Sequence, residues 1–241
     1  VRDTLEFSNE QDFNFEAASS LHDILIAPAL PYLQEISSIF IYGSELEALP
    51  FGILVADYNN NAITNYQKLI SAKWLIKDFS FARIFPISNT QKNILFDNSF
   101  LGFANPDSFE DLELPKLEGA EDEIKFLALA SNQDIKNLYF GESASKNRFI
   151  HLMNESFEKI AFATHSLPAG WSGVSTESSL VLSGQDGDYF LTPSEIINLE
   201  IASDIVLLSS CNSEQQGMNS LYKSFLVAGS NSVIYSNWEL E

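Results

Sequence analysis

The chain holds one cysteine, Cys211, and three histidines, His22, His151 and His165. A thiolate is a strong nucleophile, and an imidazole within hydrogen-bond reach can take the thiol proton and later return it to a departing amine. His165 follows the run Lys159-Ile-Ala-Phe-Ala-Thr164, and Cys211 follows Asp204-Ile-Val-Leu-Leu-Ser-Ser210. Each therefore stands at the carboxyl end of a predicted strand, the edge at which open parallel sheets bind ligands. If the two strands are neighbours, the side chains meet across the top of the sheet. Backbone amides at the strand-to-loop turns then point at the same spot, and each is worth roughly 3–4 kcal/mol as an oxyanion donor. Residue types alone leave two readings open. Cys211 is a reactive thiol served by His165, or it is a core thiol beside a loop histidine, since free cysteine often behaves as a small buried hydrophobe. His22, in a helical stretch, and His151, near the end of another, read as surface or partly buried residues.

The elements that would position this pair alternate short β-branched or aromatic runs with helical segments. That pattern specifies an α/β fold with a mostly parallel sheet flanked by helices. Predicted strands cover 38–42, 79–85, 99–103, 137–140, 159–163, 179–183, 204–209 and 231–236. Predicted helices cover 15–34 up to Pro31, a short apolar turn within 46–55, then 117–130, 143–154 with Ser143 as cap, and 218–227 ending at Gly229. Thr192-Pro-Ser-Glu195 opens another helix, with a capping residue, a proline at the first helical position and an acid at the third. Asp204–Ser209 is apolar without alternation, as a central strand should be. The best place to divide the chain is near residues 88–98. This gives an N-terminal α/β lobe over 1–95 and a core over 96–241.

Composition removes several function classes. The 241 residues carry 13 Lys and Arg against 33 Asp and Glu, a formal charge of −20. Phosphate backbones and anionic membranes need clustered cations, so neither nucleic acid nor a membrane surface is an expected partner. The acidic balance is a solvated surface or a field that attracts basic substrates. No apolar run approaches the roughly 20 residues of a membrane span, and Val1-Arg2-Asp3 does not read as a signal peptide, so a cytoplasmic protein is expected. A lone cysteine excludes an internal disulfide framework and a multi-thiolate zinc site. Neither a metal nor another cofactor is expected, and no Gly-x-Gly-x-x-Gly loop supports a dinucleotide-binding domain.

Longer stretches resemble a known family in order along the chain. Ala161-Phe-Ala-Thr-His-Ser166 resembles the strand ending in the catalytic histidine of CHAT domains, which are caspase-like and often attached to TPR repeats. Asp204-Ile-Val-Leu-Leu-Ser-Ser-Cys-Asn-Ser213 resembles the family's strand ending in the catalytic cysteine. Ser179-Leu-Val-Leu-Ser183, Leu191–Leu199 and Ser224–Trp238 are similar to the elements that the family places between and after them. Upstream, Leu25-Ile-Ala-Pro28, Leu49-Pro-Phe51, Leu101-Gly-Phe-Ala-Asn-Pro-Asp107 and Leu117-Glu-Gly-Ala-Glu-Asp-Glu123 have counterparts, so the likeness spans roughly residues 21–241.

The resemblance implies a caspase-like fold and a cysteine endopeptidase of the clan that includes separase and caspases. It makes His165 the base and Cys211 the nucleophile of a dyad with no acidic third member. The backbone amides of Ser166 and Cys211 become the oxyanion donors. It also implies a protein substrate, and latency until an activating partner or an attached TPR-type domain acts. In bacteria the family is linked to defence and cell death. An acid after the final tryptophan, Glu239 or Glu241, would line the pocket and select a basic residue. The chain departs from the family at Ser166, where Gly or Ala is common, and in the shorter, less glycine-rich loop Ser213-Glu-Gln-Gln-Gly217. It stops at Trp238-Glu-Leu-Glu241 where relatives continue, so a fragment of a longer protein is expected. The competing readings are an idle caspase-like scaffold for protein docking and an unrelated small-molecule-binding domain.

Overall fold

The computed structural model describes residues 13–42, 46, 49–85, 99–108, 112–132, 135–171, 176–184, 188–210 and 221–236. The chain forms two compact units, Val1–Pro86 and Ile87–Glu241.

The first unit begins with helix α1 (Phe15–Leu25), capped by Asn14, whose side chain accepts a hydrogen bond from the Ala17 amide at 2.9 Å. Strand β1 (Ser38–Ile41) pairs in parallel with β2 (Ser80–Arg83). Between them lies helix α2 (Asn65–Ser71), which the sequence reading did not anticipate, with Thr64 capping the Gln67 amide. Pro31 does not end a long helix. It sits inside a separate 3-10 turn, Leu30–Tyr32, after α1 has already closed. Ile26, Ile41, Phe51, Leu54 and Leu75 form one core of this unit. His22, read as a surface or partly buried residue, is buried in α1, with Nδ1 3.2 Å from Asp23 Oδ1.

The second unit is built on five parallel strands. In chain order they are β3 (Phe100–Ala104), β4 (Leu138–Phe140), β5 (Phe157–Ala163), β9 (Ser203–Ser209) and β10 (Ser232–Tyr235). Their spatial order is β10-β9-β5-β3-β4. Between β5 and β9 the chain adds a small antiparallel sheet of β6 (Ser166–Leu167), β7 (Ser179–Val181) and β8 (Phe190–Leu191). Among the described residues its helices are α3 (Ala120–Ala130), α4 (Lys146–Leu152), α5 (Pro193–Ile196) and α6 (Leu221–Ala228).

Period-two alternation sends two apolar sets to opposite faces of the main sheet. Phe100, Ala104, Ala161 and Ala163 face α3, where they pack with Ala120, Ile124 and Ala128. The small residues let the helix lie close. A Cβ on Gly102 would meet Ile124 Cγ2 at 2.4 Å. On the other face, Phe103 and Phe162 stack at 5.5 Å, and Phe149 of α4 and Phe225 of α6 close over Phe162 at 5.2 and 5.7 Å. Helices thus cover both faces, as the sequence pattern predicts.

Two helix starts differ from the sequence reading. α3 begins at Ala120 rather than near Leu117, because Gly119 takes a left-handed φ of 81°. α4 begins at Lys146, capped by Ser145, whose hydroxyl accepts from the Arg148 amide. Ser143 is committed elsewhere. Its hydroxyl accepts from the Phe140 amide and donates to the Phe140 carbonyl, which closes a 3-10 turn over Gly141–Ser143. Gly229, at φ 125°, ends α6 as expected.

Candidate active site

From β3 the chain moves to β4 on one side and then crosses to β5 on the other. Such a change of direction, here at the carboxyl ends of β3 and β5, is the place where sheets of this kind hold ligands. His165 stands at that edge, two residues past the end of β5, and is half-buried.

Its backbone is fixed on one side. Val181 donates its N–H to the His165 carbonyl at 2.9 Å, and the buried Thr164 hydroxyl donates to the Val181 carbonyl at 2.6 Å. The ring is held at a second point, with Nε2 2.8 Å from the Pro115 carbonyl oxygen. A carbonyl can only accept, so Nε2 carries the proton and Nδ1 is the basic nitrogen of the neutral ring.

Pro115 belongs to a loop shaped by its own constraints. Glu113 has φ 55° and Gly119 φ 81°. Leu112, Leu114 and Leu117 pack against Leu167, Val181 and Phe190 of the small sheet. Asn105, at the end of β3, is buried at φ 43°; its Nδ2 donates to the Leu117 carbonyl and its Oδ1 accepts from the Leu117 amide, both at 2.9 Å.

Ser166 opens β6. In an antiparallel ladder the N–H and C=O of one residue point to the same edge and those of the next residue to the other. His165 is bonded to β7, so the Ser166 amide turns to the opposite edge. Its backbone φ is not positive, so serine in place of glycine carries no left-handed strain. Among the described residues the Ser166 hydroxyl is buried without a hydrogen-bond partner, as is that of Ser210.

The register of the main sheet bears on the second member of the expected pair. β5 and β9 are neighbours, with Ala163 opposite Ser209. His165 is two residues past the one, and position 211 is two residues past the other. Cys211 itself, the loop up to Gly217, and Glu239 and Glu241 lie outside the described residues. His151 is exposed in the last turn of α4.

A second polar cluster joins the start of α4 to the segments on either side of β8. The buried Lys146 ammonium lies 2.6 Å from Asp188 Oδ1 and 2.5 Å from Glu195 Oε1. Burial pushes its pKa down, but hydrogen bonds and charge from Asp188 and Glu195 outweigh that and leave it raised. Glu195 also accepts from the Thr192 amide at 2.9 Å, which completes the capping box read from the sequence. Among the described residues no cluster of three or more His, Cys, Asp or Glu could hold a metal ion, and no helix is long and apolar enough to cross a membrane.

The sequence reading missed the Pro115 carbonyl and the Asn105 side chain. A backbone acceptor leaves no residue-type signature. Asn105 is visible only as part of the strand-ending Ala-Asn-Pro-Asp turn, while its partner lies twelve residues further on.

A parallel α/β sheet flanked by helices, with a histidine presented at its carboxyl edge, is a caspase-like arrangement. A family model for the CHAT domain matches residues 16–241, and the chain belongs to that family, whose members are caspase-like protease-family domains. No curated protein matches the chain.

Proposed function

We propose that the chain is a cysteine endopeptidase in which Cys211 is the nucleophile and His165 its general base. One observation carries the reading. The His165 ring stands at the carboxyl edge of β5 with Nε2 donating to the Pro115 carbonyl, which makes Nδ1 the nitrogen able to accept a proton. The β5–β9 register supports it, since it ends with Ala163 opposite Ser209.

In this reading Nδ1 takes the Cys211 proton as the sulfur attacks the scissile carbonyl. The tetrahedral oxyanion is held by the backbone amides of Ser166 and Cys211. Collapse of the intermediate expels the amine, which takes the proton from His165 and leaves a thioester. Water, deprotonated by the same nitrogen, then releases the acid and restores the thiol. The Pro115 carbonyl keeps a hydrogen bond to Nε2–H throughout, so the ring does not rotate as it gains and loses its charge.

The substrate is a protein, and on the family resemblance Glu239 and Glu241 would favour a basic residue before the cut. The enzyme is latent until a partner or an attached TPR-type domain orders the loops of the site, a gating role that such loops commonly have. Cytoplasmic location and a part in bacterial defence belong to the same reading. The test is digestion of a proteome-derived peptide library by the full-length protein, with Cys211→Ala as control and new termini identified by mass spectrometry. Cleavage lost in the variant, with basic residues before the cut, is the expected result. Cleavage that survives in Cys211→Ala contradicts the assignment.

A further inference from the structure

Asn105 occupies a backbone conformation that side chains rarely adopt, and it does so while buried. Of the residues that tolerate left-handed backbone, glycine has no side chain, and ionised aspartate accepts but cannot donate. Asparagine combines that tolerance with an N–H donor and a carbonyl acceptor side by side on a short amide. Here both are used on a single residue: Oδ1 takes the Leu117 N–H and Nδ2 gives to the Leu117 carbonyl, each at 2.9 Å. The amide orientation is fixed by its partners, because Leu117 N–H can only donate and its carbonyl can only accept. The side chain thus pairs with the loop as one more strand residue would.

The clamped residue lies two positions after Pro115, whose carbonyl holds His165 Nε2 at 2.8 Å. The Asn105 backbone, meanwhile, is tied to both neighbouring strands. Its N–H reaches the Ala163 carbonyl at 3.4 Å, two residues before His165, and its carbonyl accepts from Gly141 N–H at 3.1 Å. One residue therefore joins the strand that carries the histidine to the loop that selects its tautomer. We infer that Asn105 is a positioning residue for His165: its side-chain amide sets the 115–117 backbone so that the Pro115 carbonyl holds the ring with Nε2 protonated and Nδ1 basic. This rests on the reading of His165 as the general base. Apolar packing of Leu114 and Leu117 keeps the loop against the small sheet but gives the carbonyl no direction. The paired hydrogen bonds supply that direction.

Asn105→Gly suits the left-handed backbone, keeps both backbone bonds and removes only the clamp. Asn105→Asp keeps the acceptor for Leu117 N–H, loses the donor, and serves as a second variant should glycine loosen the loop. Imidazole ¹⁵N NMR of the full chain reads the tautomer directly, with His165 assigned by loss of its signals in His165→Gln. The expected spectrum of the unsubstituted chain is one Nε2-protonated tautomer at alkaline pH. Both variants are expected to give a mixture of tautomers, with melting lowered by the lost hydrogen bonds but still cooperative. Iodoacetamide alkylation of Cys211 at neutral pH should slow by about tenfold or more, as expected when a reacting group is displaced by a fraction of an ångström to an ångström. A single unchanged tautomer in both variants overturns the inference. Failure of the underlying reading has a different signature: alkylation of the parent chain would not respond to His165→Gln, whatever the tautomer spectra show.

Discussion

At Ser166 the site separates what a backbone does from what a side chain does. Its amide is turned away from β7, as the proposed oxyanion donor must be, while among the described residues its hydroxyl is buried with no partner. A buried hydroxyl that makes no hydrogen bond contributes nothing to offset its desolvation. Ser166→Ala should therefore leave peptide cleavage within about twofold and raise stability by up to about 1 kcal/mol, read by kinetics and denaturant unfolding. A loss of activity comparable to that of Cys211→Ala would assign a role to the hydroxyl. At this scale the sequence is partly legible. The run Lys159–Thr164 places His165 at a strand end, because apolar character without alternation marks a buried parallel strand. The tautomer of the ring could not be read, since it depends on a carbonyl fifty residues away.

Elements are held together by a charge cluster as well as by apolar packing. Lys146 at the start of α4 joins Asp188 before β8 to Glu195 of α5, and its amide reaches the Ser183 carbonyl at 2.9 Å. Lys146→Met removes the cation between two carboxylates that are partly in water. The expected loss is about 1–3 kcal/mol, below that of a fully buried pair because the freed acids can hydrate. Because the folded state raises the Lys146 pKa, the stabilisation is complete below the ordinary lysine range. It is lost as the pH climbs through the folded value. The melting difference between parent and variant should accordingly be constant from neutral pH to about pH 10 and close above it. A difference that grows on going alkaline would contradict the assignment. Among the elements, Thr192-Pro-Ser-Glu195 was legible because a capping box is local. The start of α4 was not. Ser143 and Ser145 are both competent caps, and Ser143 is claimed by the preceding turn at Phe140.

For the whole molecule, the parallel α/β class follows from the alternation of apolar runs and helices, and the strands fall close to where those runs lie. The order β10-β9-β5-β3-β4 does not follow from periodicity, which fixes faces but not neighbours. Nor does the antiparallel β6–β8 sheet, whose strands of two or three residues are too short to show a period. That neighbour relation matters to function, because β5 beside β9 relates the strand of His165 to the strand that precedes Cys211. The most direct test of this relation needs no substrate. Alkylation of the single cysteine by iodoacetamide is followed against pH in the parent chain and in His165→Ala. An isolated thiol loses reactivity below its ordinary pKa of about 8.5. The dyad predicts that the parent stays reactive well below that range and that His165→Ala falls back to the isolated-thiol curve. Superimposable curves would contradict it.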